Sequence, residues 1–365
     1  MVSEQENRAR LAVYLSKGVG RKAFLQLMSL AGCAELLVSA GRSQQLNWGL
    51  PNDWQANWSQ ADQQLEWVAR SPQQHRLLWW DDVDYPSLLA RIDDLPPLLW
   101  ARGDSSLLSA PQIALVGSRN ATTGGHKIAF DFAQGIAEAG LCVTSGLAGG
   151  IDAAAHAGAL AAHQGQTIAV VGTGVDLVYP ARNKALAESI VASGLMLSEF
   201  PLGARADHWH FPQRNRIISG LSLGVLVVEA AEASGSLITA GLALEQGREV
   251  FAIPGSIHNP LAKGCHALIK KGQAKLTETV QDMLSELAPQ LRRFVQSSAS
   301  EATDLSSLSP TAAALLKQIP YDPISADELL LMCQLSASEF ASLLMELEIS
   351  DSVENYGGNK IARIR

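Results

Sequence analysis

Several stretches of this chain group residues suited to holding a phosphate or an unpaired base. The densest is Asp207-His208-Trp209-His210-Phe211-Pro212-Gln213-Arg214-Asn215-Arg216-Ile217-Ile218-Ser219, with two arginines, an amide and aromatic rings within a few positions. Arginine takes phosphate oxygens through a planar fork, and an aromatic ring stacks on an unpaired base for roughly 1 to 3 kcal/mol. An extended single strand of nucleic acid suits that mixture. On composition alone, a structural arginine network around a packed phenylalanine suits it equally.

Glycine-rich turns supply the remaining candidates. Val116-Gly117-Ser118-Arg119-Asn120 precedes Thr122-Thr123-Gly124-Gly125 and a helical stretch, so backbone N–H groups, a helix N-terminus and the Arg119 fork would converge on an anion. Ser145-Gly146-Leu147-Ala148-Gly149-Gly150-Ile151-Asp152 and Gly172-Thr173-Gly174 are similar, and the latter leads to the basic Arg182 and Lys184. Ser234-Gly235-Ser236, Pro254-Gly255 and the lysines Lys263, Lys270 and Lys271 follow. Several anion-binding turns on one sheet edge outline a track rather than a single pocket.

Other chemistries fit less well. Gly117 lacks the companions of a dinucleotide fingerprint, and no acid follows the second strand to hold a ribose. Ser145, Asp152 and His156 suggest a nucleophilic triad, but the strained GxSxG elbow is missing, and Asp152 and His156, four apart on a helix, are expected to form a surface pair or cap. His208 and His210 lack a third metal ligand, and Cys33, Cys142, Cys265 and Cys333 are too scattered for a zinc site, reading instead as buried thiols. No metal, cofactor or catalytic residue is therefore expected.

The elements that must position these turns are legible in outline. Short apolar runs at 113–116, 141–144, 168–171, 195–197, 225–228 and 250–253 alternate with Ala-rich helical segments, the pattern of a Rossmann-like, doubly wound, mostly parallel α/β sheet. Ligands of such sheets bind beyond the carboxyl ends of the strands, where the turns fall. Residues 1–75 read as a helical domain, helix-hairpin-helix or SAM-like, with a break at Lys17-Gly18-Val19-Gly20. That break is either a phosphate-binding hairpin helped by Lys17, Arg21 and Lys22 or a plain interhelical turn. Trp48, Trp54, Trp58, Trp67, Trp79 and Trp80 read as its packing. Residues 76–290 form the Rossmann-like core, the polar, Ser-rich 291–307 a linker, and 308–365 a winged helix, with helices at 311–318, 326–332 and 338–347 and a hairpin at 353–364 around Gly357-Gly358.

With 47% hydrophobic and 18% charged residues, the chain of 365 residues has a globular composition. The acids and arginines of MVSEQENRAR, and the lack of a long apolar run, point to the cytoplasm and away from a membrane. The net charge of -8 argues at first against a nucleic-acid partner, yet the charge is uneven. Lys and Arg against Asp and Glu number 10 to 12 over residues 1–111, 12 to 11 over 112–275, and 6 to 13 over 276–365. The acidity thus sits in the C-terminal quarter, leaving the middle free to concentrate a basic patch.

Taken in order, Asp84-Tyr85-Pro86, Gly117-Ser118-Arg119, Ser145-Gly146 with Gly149-Gly150-Ile151-Asp152, Phe211-Pro212-Gln213-Arg214-Asn215-Arg216-Ile217-Ile218, Gly235-Ser236-Leu237-Ile238-Thr239-Ala240 and Glu245-Gln246-Gly247-Arg248 resemble the DprA (Smf) family of DNA-processing proteins over about residues 80–285. The resemblance implies a non-enzymatic protein that binds single-stranded DNA, protects it and helps load the RecA recombinase during natural transformation, as a homodimer through the Rossmann-like domain. It implies that Arg119 clamps phosphate beside Gly117 and Ser118, and that Phe211, Arg214, Asn215 and Arg216 line the strand. Gly241 departs from relatives that carry a larger side chain there. The alternative is a nucleotide-binding enzyme of the lysine-decarboxylase-like phosphoribohydrolase group, but its PGGxGTxxE-like turn is not matched by residues 229–239.

Overall fold

The computed structural model describes residues 3–307, 309–316, 318–320, 324–333, 336–349, 352–356 and 360–363. Five helices come first: α1 (Glu4–Tyr14), α2 (Arg21–Ala31), α3 (Ala34–Ser39), α4 (Arg42–Asn47) and α5 (Trp58–Arg70). Nine strands follow as β1 (His75–Trp79), β2 (Leu98–Gly103), β3 (Gln112–Val116), β4 (Cys142–Ser145), β5 (Thr167–Val170), β6 (Leu195–Ser198), β7 (Gly224–Val227), β8 (Glu249–Ala252) and β9 (Lys275–Leu276). Between and after them run α6 (Thr123–Glu138), α7 (Ile151–Ala161), α8 (Lys184–Ser193), α9 (His210–Leu221), α10 (Gly235–Glu245), α11 (Lys263–Lys270) and α12 (Val280–Ser307).

The strands form one sheet in the order β1-β2-β6-β5-β4-β3-β7-β8-β9. Every pair from β6 to β9 is parallel, whereas β1 and β2 join antiparallel at one edge. The six expected strands are all present within one residue at either end. Helices cover both faces of a parallel sheet, so β3 to β7 are buried along their whole length and are mostly apolar, with buried polar side chains such as Thr144 and Ser145 hydrogen-bonded to Gln112 and to Leu115 O. β1 and β9 are the edges of the sheet, and β2, which lies between β1 and β6, carries the fully buried run Leu98-Leu99-Trp100-Ala101 outside the six expected strands.

The N-terminal helices do not close on a core of their own. Leu11, Phe24, Leu37, Trp54 and Trp67 share one apolar cluster with Trp79 of β1, Trp100 of β2 and with Ala169, Val171 and Met196, and 1–288 form a single compact unit. Helices this short bury too little apolar surface alone. Position 75 is thus a change of secondary structure rather than a seam in the packing. Buried indoles keep their N–H satisfied: Trp54 Nε1 donates to Ser16 Oγ at 2.7 Å, Trp79 Nε1 to Asn7 Oδ1 at 2.7 Å and Trp100 Nε1 to Gln64 Oε1 at 2.9 Å.

Residues 289–365 form the second unit. The expected linker at 291–307 is instead the later part of α12. After Pro289 no Gly or Pro interrupts the chain through Ser307, and its Gln, Leu, Arg, Glu and Ala are good helix formers, so polarity there does not mean irregular backbone. α13 (Pro310–Leu316), β10 (Ile324–Ser325), α14 (Ala326–Cys333), α15 (Ala337–Ile349), β11 (Val353–Tyr356) and β12 (Lys360–Arg363) make a winged helix, its antiparallel sheet ordered β10-β12-β11 over a core that includes Leu315, Leu329, Phe340, Leu347 and Ile361. The expected turn at Gly357-Gly358, and Ile364, lie outside the described residues. Among the described residues no helix is long and apolar enough to cross a membrane.

Candidate functional site

The chain leaves β3 toward β4 on one side and leaves β7 toward β8 on the other, while β3 and β7 are neighbours. Such a reversal opens a crevice at the carboxyl ends of the strands. A cavity of about 740 Å³ lies there, lined by Gly117, Ser118, Arg119 and Asn120 after β3, by Ala148 and Asp152 after β4, by Tyr179, His208, Phe211, Arg214 and Asn215, and by Ser234, Gly235 and Ser236 at the start of α10. A smaller cavity of about 100 Å³ shares Arg119, Tyr179, Phe211 and Arg214 and adds Gly146, Gly149, Gly172 and Arg182.

The turn after β4 is shaped by constraint. Leu147 is buried with φ 58°, a left-handed conformation that costs a branched residue strain. The buried Asn183 amide holds the turn by donating to Leu147 O at 2.9 Å and Ala148 O at 3.2 Å. A Cβ on Gly146 would overlap the Arg214 guanidinium, so the absence of a side chain there is what seats that arginine. Asn183 escapes sequence reasoning, because its only signal is an amide in a basic loop.

Arg119 is exposed, has no hydrogen-bond or ion-pair partner among the described residues, and lies with its guanidinium carbon 5.1 Å from the centre of the Phe211 ring. Tyr179 stands beside that ring at 5.7 Å. Arg214 is buried beneath, donating from Nη1 to Val170 O at 2.7 Å, while its Nε finds no partner among the described residues. Burial pushes its pKa down to about 10, with Asp152 opposing that shift and Arg119 adding to it, so it remains a cation at neutral pH. Burial raises the pKa of Asp152, with Arg214 as the main opposing influence.

Helix N-termini divide into occupied and open ones. The expected anion site at the start of α6 is already filled: the Glu229 carboxylate accepts from Thr122 N at 2.9 Å, Thr122 Oγ1 at 2.7 Å and Asn259 Nδ2 at 3.3 Å. At α10 the Ser234 hydroxyl caps Ser236 N at 3.3 Å, and Gly235 and Ser236 face the cavity with no carboxylate among the described residues accepting from that helix end. An outside anion is favoured at α10, where the partial positive charge of the helix end is not yet neutralised.

Three expectations need correction. Asp152 and His156 are not a surface pair. Both are buried, His156 Nδ1 lies 2.7 Å from Thr167 Oγ1, and burial lowers the pKa of that imidazole to about 3. Arg216 does not line the cavity: its side chain is 7% exposed, and its donors are taken up twice by Glu199 at 2.7 Å and once by Asp94 Oδ2 at 3.0 Å, which leaves its guanidinium committed to carboxylates. Arg21 is likewise taken by Glu199 at 2.8 Å and Asp94 at 2.9 Å, which removes it from any phosphate-binding hairpin. Of the remaining candidates, Arg182 lines only the smaller cavity, and Lys184 is exposed at the start of α8 and lines neither. No cluster of three metal-ligating side chains occurs among the described residues.

Fold and cavity together define a Rossmann-like protein with an open groove of cations and rings in place of a closed dinucleotide pocket. The chain belongs to the DNA recombination-mediator protein A family, DprA: residues 76–288 match that family, and residues 299–359 match the DprA winged helix domain. It is 50% identical over 205 residues to the DNA processing protein DprA of Streptococcus pneumoniae, covering 56% of this chain and 72% of that one. Protein Smf of Escherichia coli is 48% identical over 205 residues, 56% of this chain and 54% of that one. The X-ray structure of the pneumococcal protein superimposes with a TM-score of 0.63 at 38% identity, over 76% of this chain and 95% of that one. DprA of Helicobacter pylori, whose structure describes its binding of single-stranded DNA, gives 0.54 at 28% identity, over 60% of this chain and 97% of that one.

Proposed function

We propose that this protein binds single-stranded DNA in the groove at the β3 and β7 switch point, protects it, and helps load RecA recombinase during natural transformation and recombination. The observation that carries this reading is Arg119, an exposed cation without a carboxylate partner, set against the Phe211 ring at the mouth of an open cavity. Arginine and ring together meet phosphate and base, the two parts of an unpaired nucleotide. Gly117, Ser118, Asn215, Gly235 and Ser236 would touch the strand, Arg214 would supply charge from the floor, and Arg182 and Lys184 would extend the track. The single-stranded DNA bound by the Helicobacter pylori relative supports the same partner.

The role is one of binding rather than catalysis. Ser145 donates its hydroxyl hydrogen to Leu115 O at 2.6 Å and His156 is held neutral in the core, so neither is poised as nucleophile or base. Action on DNA beside RecA places the protein in the cytoplasm. Homodimerisation through the Rossmann-like domain belongs to the same proposal and is favoured by the short edge strand β9, where Leu276 is 52% exposed. The test is fluorescence anisotropy of a labelled oligo-dT and of a duplex of equal length across a salt series. Preferential binding of the single strand that weakens steeply with salt is expected. Equal binding of both, or of neither, overturns the reading.

A further inference from the structure

We infer that Arg21, delivered by the N-terminal helical segment, is a positioning residue for the groove, acting through a closed set of four charges that anchors the back of α9. The inference rests on the groove being the single-strand site. Glu199, at the end of β6, has a side chain only 2% exposed. It accepts from Arg216 on α9 at 2.7 Å and from Arg21 on α2 at 2.8 Å. Asp94 closes the ring, accepting from Arg21 at 2.9 Å and from Arg216 at 3.0 Å. Two arginines and two carboxylates balance, which is the condition for burying such charges without a large penalty.

α9 has two faces at helical spacing. Gln213 and Arg216 lie one turn apart on the anchored face, and Gln213 also accepts from Arg21 Nη1 at 3.2 Å. Phe211, Arg214, Asn215 and Ile218 line the groove. Arg21 therefore touches α9 from behind without lining the cavity. Removing its charge leaves Glu199 and Asp94 sharing one arginine, an excess negative charge beneath the helix that presents the strand-binding side chains. The aromatic and cationic groups of the groove then lose a single pose, and pre-organisation for the strand is reduced.

The experiment uses the full chain with Arg21→Gln, Arg21→Lys, the double variant Arg21→Gln with Glu199→Gln, and Arg119→Ala as a groove control. Oligo-dT affinity is measured across a salt series, and amide hydrogen exchange across residues 210–221 is measured without DNA. Arg21→Gln should raise Kd roughly tenfold while leaving the slope of log affinity against log salt at the wild-type value, because no phosphate contact is lost. Exchange in α9 should quicken. The double variant, balanced again, should recover most of the affinity and the protection, and Arg21→Lys should fall between.

Unchanged affinity and exchange in Arg21→Gln would overturn the inference, as would a salt slope lowered by about one, which marks a direct phosphate contact. A double variant no better than the single one would do the same. Should Arg21→Gln not fold, the lysine and double variants carry the same two outcomes. If the wild type binds no single strand, the proposed function fails on its own, and α9 exchange still decides whether Arg21 anchors the helix.

Discussion

The groove of the Rossmann-like unit and the winged helix are both architectures that nucleic acid can use, and they carry opposite charge. Around the groove stand Arg119, Arg182 and Arg214 against the single carboxylate of Asp152. α15, the helix that a winged helix ordinarily offers to DNA, carries Glu339, Glu346 and Glu348 and no Lys or Arg. Two of those acids are committed to the fold. Glu339 and Ser336 cap one another in a capping box, with Ser336 N donating at 3.1 Å and Glu339 N at 3.3 Å, and Glu346 accepts from Ser309 N at 2.6 Å at the start of α13. A fold known for reading DNA thus offers its usual recognition helix without cations, and phosphate affinity follows the cations.

The contrast can be sharpened or broken by measurement. The largest effect is expected from Arg119→Ala, which should weaken oligo-dT binding by about 2 kcal/mol, roughly thirtyfold, and lower the salt slope by about one. An unchanged slope would mean that Arg119 does not meet phosphate. Phe211→Ala should cost about 1 to 2 kcal/mol through lost stacking and leave the slope alone, so the two residues separate charge from ring. A fall in slope would instead mean that Phe211 serves to hold Arg119 in place. The smallest effect is expected from deleting residues 309–365: single-strand affinity should stay within about twofold, or improve slightly as like charge is removed. Loss of binding on that deletion would erase the contrast and make the winged helix part of the DNA site.

Much of the fold is legible in the sequence. Residues 113–116 and 225–228 stand out because a strand buried on both faces must be apolar throughout, and the turns at Gly117 and Ser234-Gly235-Ser236 stand out because only small residues suit a close approach. β1 and β2 fall outside the expected strands although Leu77-Leu78-Trp79-Trp80 and Leu98-Leu99-Trp100-Ala101 are apolar runs, because these strands pair antiparallel and no Ala-rich helical segment alternates with them. The helix over 291–307 was missed because its Ser-rich polarity masked good helix propensity. Arg119 and Phe211 could be singled out from local chemistry alone, but Arg214 and Arg216, two residues apart in one motif, could not be told apart.

What the sequence determined by itself is therefore the periodic and the local: the parallel sheet, the position of its turns, the concentration of acid in the last quarter, and the motifs that mark the DprA family. Tertiary structure alone decided that Arg214 lines the groove while Arg216, equally buried, is taken by a carboxylate. Glu199 stands 17 residues before Arg216, and Arg21 reaches the same carboxylate across 178 residues. Side-chain period and turn chemistry are written within a few residues of backbone, whereas charge pairing depends on distances in space, which only the folded chain sets.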